Sequence, residues 1–282
     1  MAGTLYVVST PIGNLEDISL RALRVLREAA VVAAEDTRRT AKLLAHYEIT
    51  TPLESLHAHN EHARIPALLA RLAAGASVAL ASDAGTPLVS DPGESFVRAA
   101  LAAGCRVEAI PGPSAVLAAL VVSGLPAAEG FTFLGFAPAR EGERRRWLQA
   151  AGAEPRPVVF FEAPHRVRET LEAAGALLGD RNVAVSRELT KIHETHLRGS
   201  ISAVLAALGE PRGEYTVVLA PAVPERPVPL TDAGAWAEFA DLTGPGHLSR
   251  RGAVSAIAHR HGVPAREVYA AIERAKPDAA DK

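Results

Sequence analysis

Residues 77–95 read SVALASDAGTPLVSDPGES, and the fold follows from how this stretch is parsed. Val78 to Ala81 is a short apolar run of the length that suits a buried strand. Residues 82–87 and 90–93 are turn-forming, and Phe96, Val97, Ala100 and Leu101 then recur at helical spacing. Asp91 before Pro92 reads as an N-cap followed by proline at the first helical position. A strand that feeds a polar, glycine-rich loop into a helix is where open α/β sheets hold ligands. The same pattern also serves as a plain βα connection, so the stretch alone leaves both readings open.

The neighbouring segments repeat the alternation. Residues 4–9 (TLYVVS) are β-rich and end at Pro11-Ile12-Gly13. Asp17 is expected to cap a helix carrying Leu20, Leu23 and Leu26 on one face. Further strands are expected over residues 31–34, 52–56 and 106–110, with helices between them, one over residues 60–74. Strands alternating with helices of this length imply a parallel sheet covered on both faces. Ser114 caps an apolar helix over residues 115–122. Beyond Gly130, strands are expected over residues 131–136, 157–162, 182–188 and 214–220. Residues 195–198 make a short antiparallel edge strand, and helices fill the gaps. The fold class is therefore α/β, with two α/β domains and a small helical region. The domains span residues 1–112, with a parallel sheet, and 113–222, with a mixed sheet. Residues 223–282 follow as linker and helical tail. Residues 221–229 (PAVPERPVP) read as a proline-rich linker, and residues 249–275 as a helix-turn-helix-sized pair with Gly262 as its C-cap.

Composition narrows the function classes. The 282 residues are 48% apolar and 22% charged, with a net charge of −2, so any surface for nucleic acid must be local. A single cysteine, Cys105, excludes an internal disulfide and fits a reducing cytoplasm. The start has no basic n-region, and no apolar run is long enough to span a bilayer.

The loops at residues 11–13 and 83–86 are made of small residues that let main-chain groups approach a flat ligand. Neither matches a dinucleotide or triphosphate fingerprint, and no lysine follows to hold phosphates. A neutral or cationic ligand held by main-chain groups and one acid fits better. His57, His59 and His62 match no zinc spacing, so no metal is expected. Three strand-end loops mix acids with bases, around Glu35–Arg39, Glu162–Arg166 and Arg187–Lys191. They either converge on one cleft or are solvated ion pairs. Arg140, Arg144, Arg145, Arg146, Arg156, Arg166 and Arg168 lie near Trp147 and Phe136, a set suited to phosphate contact and base stacking, or to a solvated helix face. The terminal Arg250, Arg251, His259, Arg260, His261 and Arg266 either grip RNA or cap a dimer.

Taken in order, STPIGNLEDIS, AEDTRRT, HNE, SDAGTPLVSDPG, IPGPSA, FFEAPHR, SRELTKIHE and GEYTVV resemble the motif series of the small-subunit ribosomal RNA methyltransferase I family, within the tetrapyrrole methylase superfamily. The resemblance runs from about Thr4 to Ala220. It implies two α/β domains with S-adenosylmethionine in the cleft between them, a dimeric enzyme, and 2′-O-methylation of a cytidine ribose in the decoding centre of 16S rRNA. Carried over by position, the cofactor would touch Pro11, Ile12, Gly13, Asp83, Ala84, Gly85, Thr86, Val89, Ser114, Ala115, Phe161 and Pro221. Thr86 stands where tetrapyrrole-acting members carry an aspartate, a departure that favours RNA. Glu162, Lys191 (if burial depresses its pKa) and Asp36 are the candidate bases. Arg38, Arg144, Arg145, Arg146, Arg166 and Arg187 are the candidate RNA contacts. The same fold acting on a tetrapyrrole or on diphthamide, a non-catalytic ribosome-assembly factor, and a nucleotide-phosphate enzyme using the Asp83 loop remain as alternatives.

Overall fold

The computed structural model describes residues 2–222, 230–244 and 248–276. The chain divides into two compact units, Met1–Ala222 and Val223–Lys282. The first unit holds two five-stranded sheets.

In the first sheet the elements run β1 (Thr4–Val8), α1 (Leu20–Glu28), β2 (Val31–Ala34), α2 (Thr37–His46), β3 (Leu53–Ser55), α3 (Glu61–Ala73), β4 (Val78–Ala81), α4 (Glu94–Ala102) and β5 (Arg106–Ile110). All strand pairs are parallel, in the order β3-β2-β4-β1-β5. β2 and β4 are buried along their whole length, as their uninterrupted apolar runs require. Alternate residues serve opposite faces. Val32, Ala79 and Ala81 pack under α1 and α2, whereas Val31, Ala33, Val78 and Leu80 pack under α3 and α4. β1 and β4 are neighbours whose connections leave in opposite directions, β1 towards β2 and β4 towards β5. This is a topological switch point, where the carboxyl ends of the strands open a crevice.

The second sheet continues with α5 (Ala115–Val122), β6 (Thr132–Phe136), α6 (Glu141–Ala153), β7 (Val158–Glu162), α7 (Val167–Leu178), β8 (Asn182–Arg187), β9 (Thr195–Ser200), α8 (Ile201–Ala207) and β10 (Tyr215–Leu219). Its order is β6-β7-β10-β8-β9. Only β6 and β7 run parallel, and β9 is an antiparallel edge strand. One face packs under α6, α7 and α8. On the other face Val159, Ala184 and Val218 meet α5 together with Ile12, a residue of the first sheet's leading loop. This apolar seam joins the two sheets.

The second unit has its own core. α9 (Asp232–Leu242), α10 (Arg250–His261) and α11 (Ala265–Ala275) bury Phe239, Val254, Ile257, Val268 and Ile272. Gly262, at φ +64°, ends α10 in the left-handed conformation expected of a C-cap. The linker expected over residues 221–229 lies outside the described residues from 223 onwards.

Two expected helix starts are corrected. Asp17 does not cap α1. It closes a single 3-10 turn, Leu15–Asp17, and the Ser19 hydroxyl takes the Ala22 N–H at 3.1 Å instead. Asp91 does not cap α4, which begins after Gly93 at φ +116°. The Gly93 N–H donates to Glu61 Oε1 at 2.6 Å, so a carboxylate from the start of α3 replaces the local cap.

Candidate functional site

The loops leaving β1 and β4 are tied together at the switch point. Thr10 and Gly85 exchange N–H···O bonds of 2.8 and 3.0 Å, and Ser9 Oγ lies 3.0 Å from Thr86 Oγ1. Gly85 sits at φ +77°, and a β-carbon there would lie 3.3 Å from Ile12. Leu88 and Ser90 hold positive φ without being glycine, which stores backbone strain in this loop.

Between this loop pair and the second sheet lies a cavity of about 450 Å³. Of the expected cofactor residues, Ile12, Asp83, Ala84, Gly85, Thr86, Val89, Ser114, Ala115 and Phe161 line it. The other three lie elsewhere. Pro11 borders a smaller adjoining recess. Gly13 packs against the 188–191 loop, where a β-carbon would sit 2.4 Å from Lys191 Cγ. Pro221 lines neither space. The walls are chemically distinct. Ile12, Val116, Phe136 and Phe161 form an apolar side, with the two phenylalanine rings 5.3 Å apart. Glu35, Asp83 and Asp91 form an acidic side. Among the charged lining residues those three acids face only Arg39, whose Nε lies 3.5 Å from Asp83 Oδ2.

Confinement of these acids shifts their protonation. Burial, reinforced by the charge of Glu35, pushes the Asp91 carboxyl up to about 6. Burial, together with Asp83, raises Glu35 as well. Sequence patterns single out neither residue, since Glu35 falls in a loop of mixed charge and Asp91 carries a helix-cap signal. The one available signal was that both sit in small-residue loops at the ends of adjacent strands.

The three candidate bases behave differently. The Glu162 side chain reaches the cavity wall but is fully buried and fully partnered. Its Oε1 accepts from the Ala163 N–H at 2.8 Å and pairs with Arg166 at 2.7 Å, while Oε2 accepts from Thr170 Oγ1 at 2.5 Å. Lys191 is bridged to Glu188 and Glu214, each at 2.9 Å. Burial disfavours its charge, but the two carboxylates prevail and hold it above the ordinary lysine value. The depressed lysine that a base requires is therefore not present. Asp36 caps α2 and forms a two-pronged pair with Arg38. That guanidinium holds its carboxyl far below the usual range, and it does not line the cavity.

The arginines also separate. Arg144 is buried, bonded to the Ala139 carbonyl and paired with Glu169 between α6 and α7, so it is a structural residue rather than an RNA contact. Arg38 is spent on Asp36. Arg145 and Arg146 are exposed on α6. Arg166 and Arg187 each keep a buried Nε with no partner. Among the described residues no cluster of His, Cys, Asp or Glu suits a metal, and no helix is long and apolar enough to cross a membrane.

The chain is similar to known proteins. Residues 4–205 match the family described as Tetrapyrrole (Corrin/Porphyrin) Methylases. A Synechocystis protein named ribosomal RNA small subunit methyltransferase I is 43% identical, covering 95% of this chain and 96% of that protein. Proteins of the same name from Bacillus subtilis and Xylella fastidiosa are 41% and 47% identical, covering 95% and 82% of this chain and 93% and 86% of their own lengths. Among solved structures, a diphthine synthase aligns with a TM-score of 0.62 at 19% identity, covering 77% of this chain and 90% of that one. A Thermus thermophilus uroporphyrin-III C-methyl transferase complexed with S-adenyl homocysteine aligns at 0.54 and 24% identity, covering 77% and 97%. These structures share the fold. The family match over residues 4–205 and the 43% identity sustained over 95% of the chain lead to one assignment: the chain belongs to the tetrapyrrole methylases, and within them to the ribosomal RNA small subunit methyltransferase I family.

Proposed function

We propose that this chain transfers a methyl group from S-adenosylmethionine to the 2′-hydroxyl of a cytidine ribose in the decoding centre of 16S rRNA. The observation that carries the reading is the two-sided cavity at the switch point. Its apolar wall suits a flat base, and its acidic wall suits a cation.

S-adenosylmethionine supplies an electrophilic methyl group on a positively charged sulfur. The chain's residues do the rest. Main-chain groups of residues 83–86, freed of bulky side chains, would hold the flat adenosyl group. Phe161, Ile12 and Val116 exclude water from one side. Charge disappears from the sulfur as transfer proceeds, so a tight anionic clamp there would favour the ground state and slow the step. Glu35 and Asp91, each raised by burial and by a neighbouring acid, favour a cation nearby. Asp91 is the residue best placed to accept the ribose hydroxyl proton. It lines the cavity, and its pKa of about 6 lies closer to the working pH than an ordinary aspartate's.

Arg145 and Arg146, exposed on α6, would contact RNA phosphates, with Arg187 at the end of β8 as a further cation, whereas Arg166 is held by Glu162. Leu117 and Val121, exposed one turn apart on α5, support a homodimer. An rRNA substrate places the enzyme in the cytoplasm. Mass mapping of ribose methylation in 16S rRNA, from cells with and without this chain, tests the function directly. An unchanged methylation map would refute it.

A further inference from the structure

The main cavity is ill suited to a phosphodiester. Glu162 and Glu214 are matched by Arg166 and Lys191, but Glu35, Asp83 and Asp91 are left facing the single guanidinium of Arg39. Yet a ribose 2′-hydroxyl is vicinal to the oxygen that carries the 3′ phosphodiester. An acceptor hydroxyl held in the acidic chamber therefore brings a phosphate within a few ångströms of it. At that range in a partly buried site, like charges repel strongly. The phosphate needs a separate compartment.

The structure holds one. A recess of about 150 Å³ adjoins the chamber and shares Arg39 and Asp83 with it. Arg39 and Lys42 project from the same face of α2, three residues apart. Among the described residues no carboxylate pairs with Lys42. Asp83, the recess's one acid, is already engaged, since its Oδ1 accepts the Asp36 N–H at 2.9 Å and its Oδ2 faces Arg39. The charge therefore changes sign across the shared wall, from an acid-rich chamber to a cation-lined recess.

We infer that the recess between α2 and the β1 and β4 loops is the subsite for the phosphodiester adjoining the methylated ribose, with Lys42 and Arg39 as its cations. The inference rests on the proposed RNA 2′-O-methylation. It reassigns the phosphate contact expected of Arg38, which Asp36 occupies, to the next two cations of α2. The recess gives the enzyme a geometric reason to select the 2′ position, because only a hydroxyl adjacent to a phosphodiester can fill both compartments at once.

The test compares wild type with Lys42→Ala, Lys42→Arg and Lys42→Glu in methyl transfer to isolated small subunits. Cofactor affinity is measured separately by calorimetry. Lys42 is exposed and lines only the recess, so the variants should keep the wild-type melting temperature. Lys42→Ala should raise KM for subunits about tenfold and lower the slope of log(kcat/KM) against log salt by about one unit. Lys42→Arg should retain most of the wild-type behaviour, Lys42→Glu should lose more than Lys42→Ala, and S-adenosylmethionine affinity should stay unchanged throughout. A wild-type KM and salt slope in Lys42→Ala would overturn the subsite, as would a parallel loss of cofactor affinity. A wild-type enzyme that methylates no small subunit would instead overturn the function on which the subsite depends.

Discussion

Asp91 concentrates the chemistry of the site in one carboxyl group. Its pKa rises from 3.8 to about 6 on folding, so the folded state binds more protons than the unfolded state between those values. Stability contributed by the protonated form is complete below about pH 4 and is lost as pH rises through about 6. Asp91→Asn mimics the neutral form. It should leave the melting temperature nearly unchanged at about pH 4 and raise stability by about 1 kcal/mol at about pH 8, after discounting for solvent screening. Cofactor binding should show the opposite trend. A bound cation favours ionised Asp91, so affinity should weaken as pH falls through about 6, and Asp91→Asn should flatten that profile in calorimetry. Methyl transfer should lose its acid limb near the same pH, and a variant that retains the limb would assign the proton to another group. Sequence alone could not reveal this role. Asp91-Pro92 carries a strong local cap signal, whereas its actual environment is set by burial and by Glu35, which lies far from it in sequence.

At the scale of elements, two loops give the site its shape, and each is held by a residue from elsewhere. The 82–93 loop keeps its strained Leu88 and Ser90 because the Gly93 N–H is anchored to Glu61. Glu61→Ala should release that anchor, costing about 1–2 kcal/mol of stability. It should also weaken cofactor binding severalfold, while Glu61→Gln should restore most of both. Deuterium uptake across residues 86–93 would report the loosening. Buried strands were legible in the sequence because an all-apolar four-residue run such as Val31–Ala34 or Val78–Ala81 has few alternatives between helices. Helix starts were not. Asp17 and Ser19 are both competent caps two residues apart, and a 3-10 turn decides between them. Gly85 and Thr86 were legible because small residues at a strand end signal close backbone approach. The fates of Glu162, Lys191 and Arg144 were not, because Thr170, Glu214 and Glu169 meet them only in the folded chain.

At the scale of the whole molecule, the RNA surface must be built from cations that the fold leaves unspent. Arg144 is consumed inside the second sheet's helical layer, so a variant removing it would confuse folding with binding. Arg145→Ala with Arg146→Ala isolates the surface term. The pair should weaken binding to small subunits and reduce the salt slope by about one to two units without changing the melting temperature, as read by filter binding across a salt series. An unchanged slope would place the RNA on another face. The two-sheet plan itself was readable from a second set of strand and helix patterns beyond Gly130, with the short edge strand expected over residues 195–198. What alternation could not reveal is the seam, in which Ile12 of one sheet completes the core of the other.

The bare α-carbon of Gly13 has a mechanical consequence. It rests against Leu189, Thr190 and Lys191, and Lys191 is itself fastened to Glu188 and Glu214 at the opposite rim. The two halves of the chamber are thus latched at their lips, not only along their base. So close a packing of backbone on loop resists separation of the two lips. Gly13→Ala would wedge the latch, with a β-carbon 2.8 Å from the Leu189 carbonyl oxygen. It should cost about 1–3 kcal/mol and let bulkier adenosyl analogues enter.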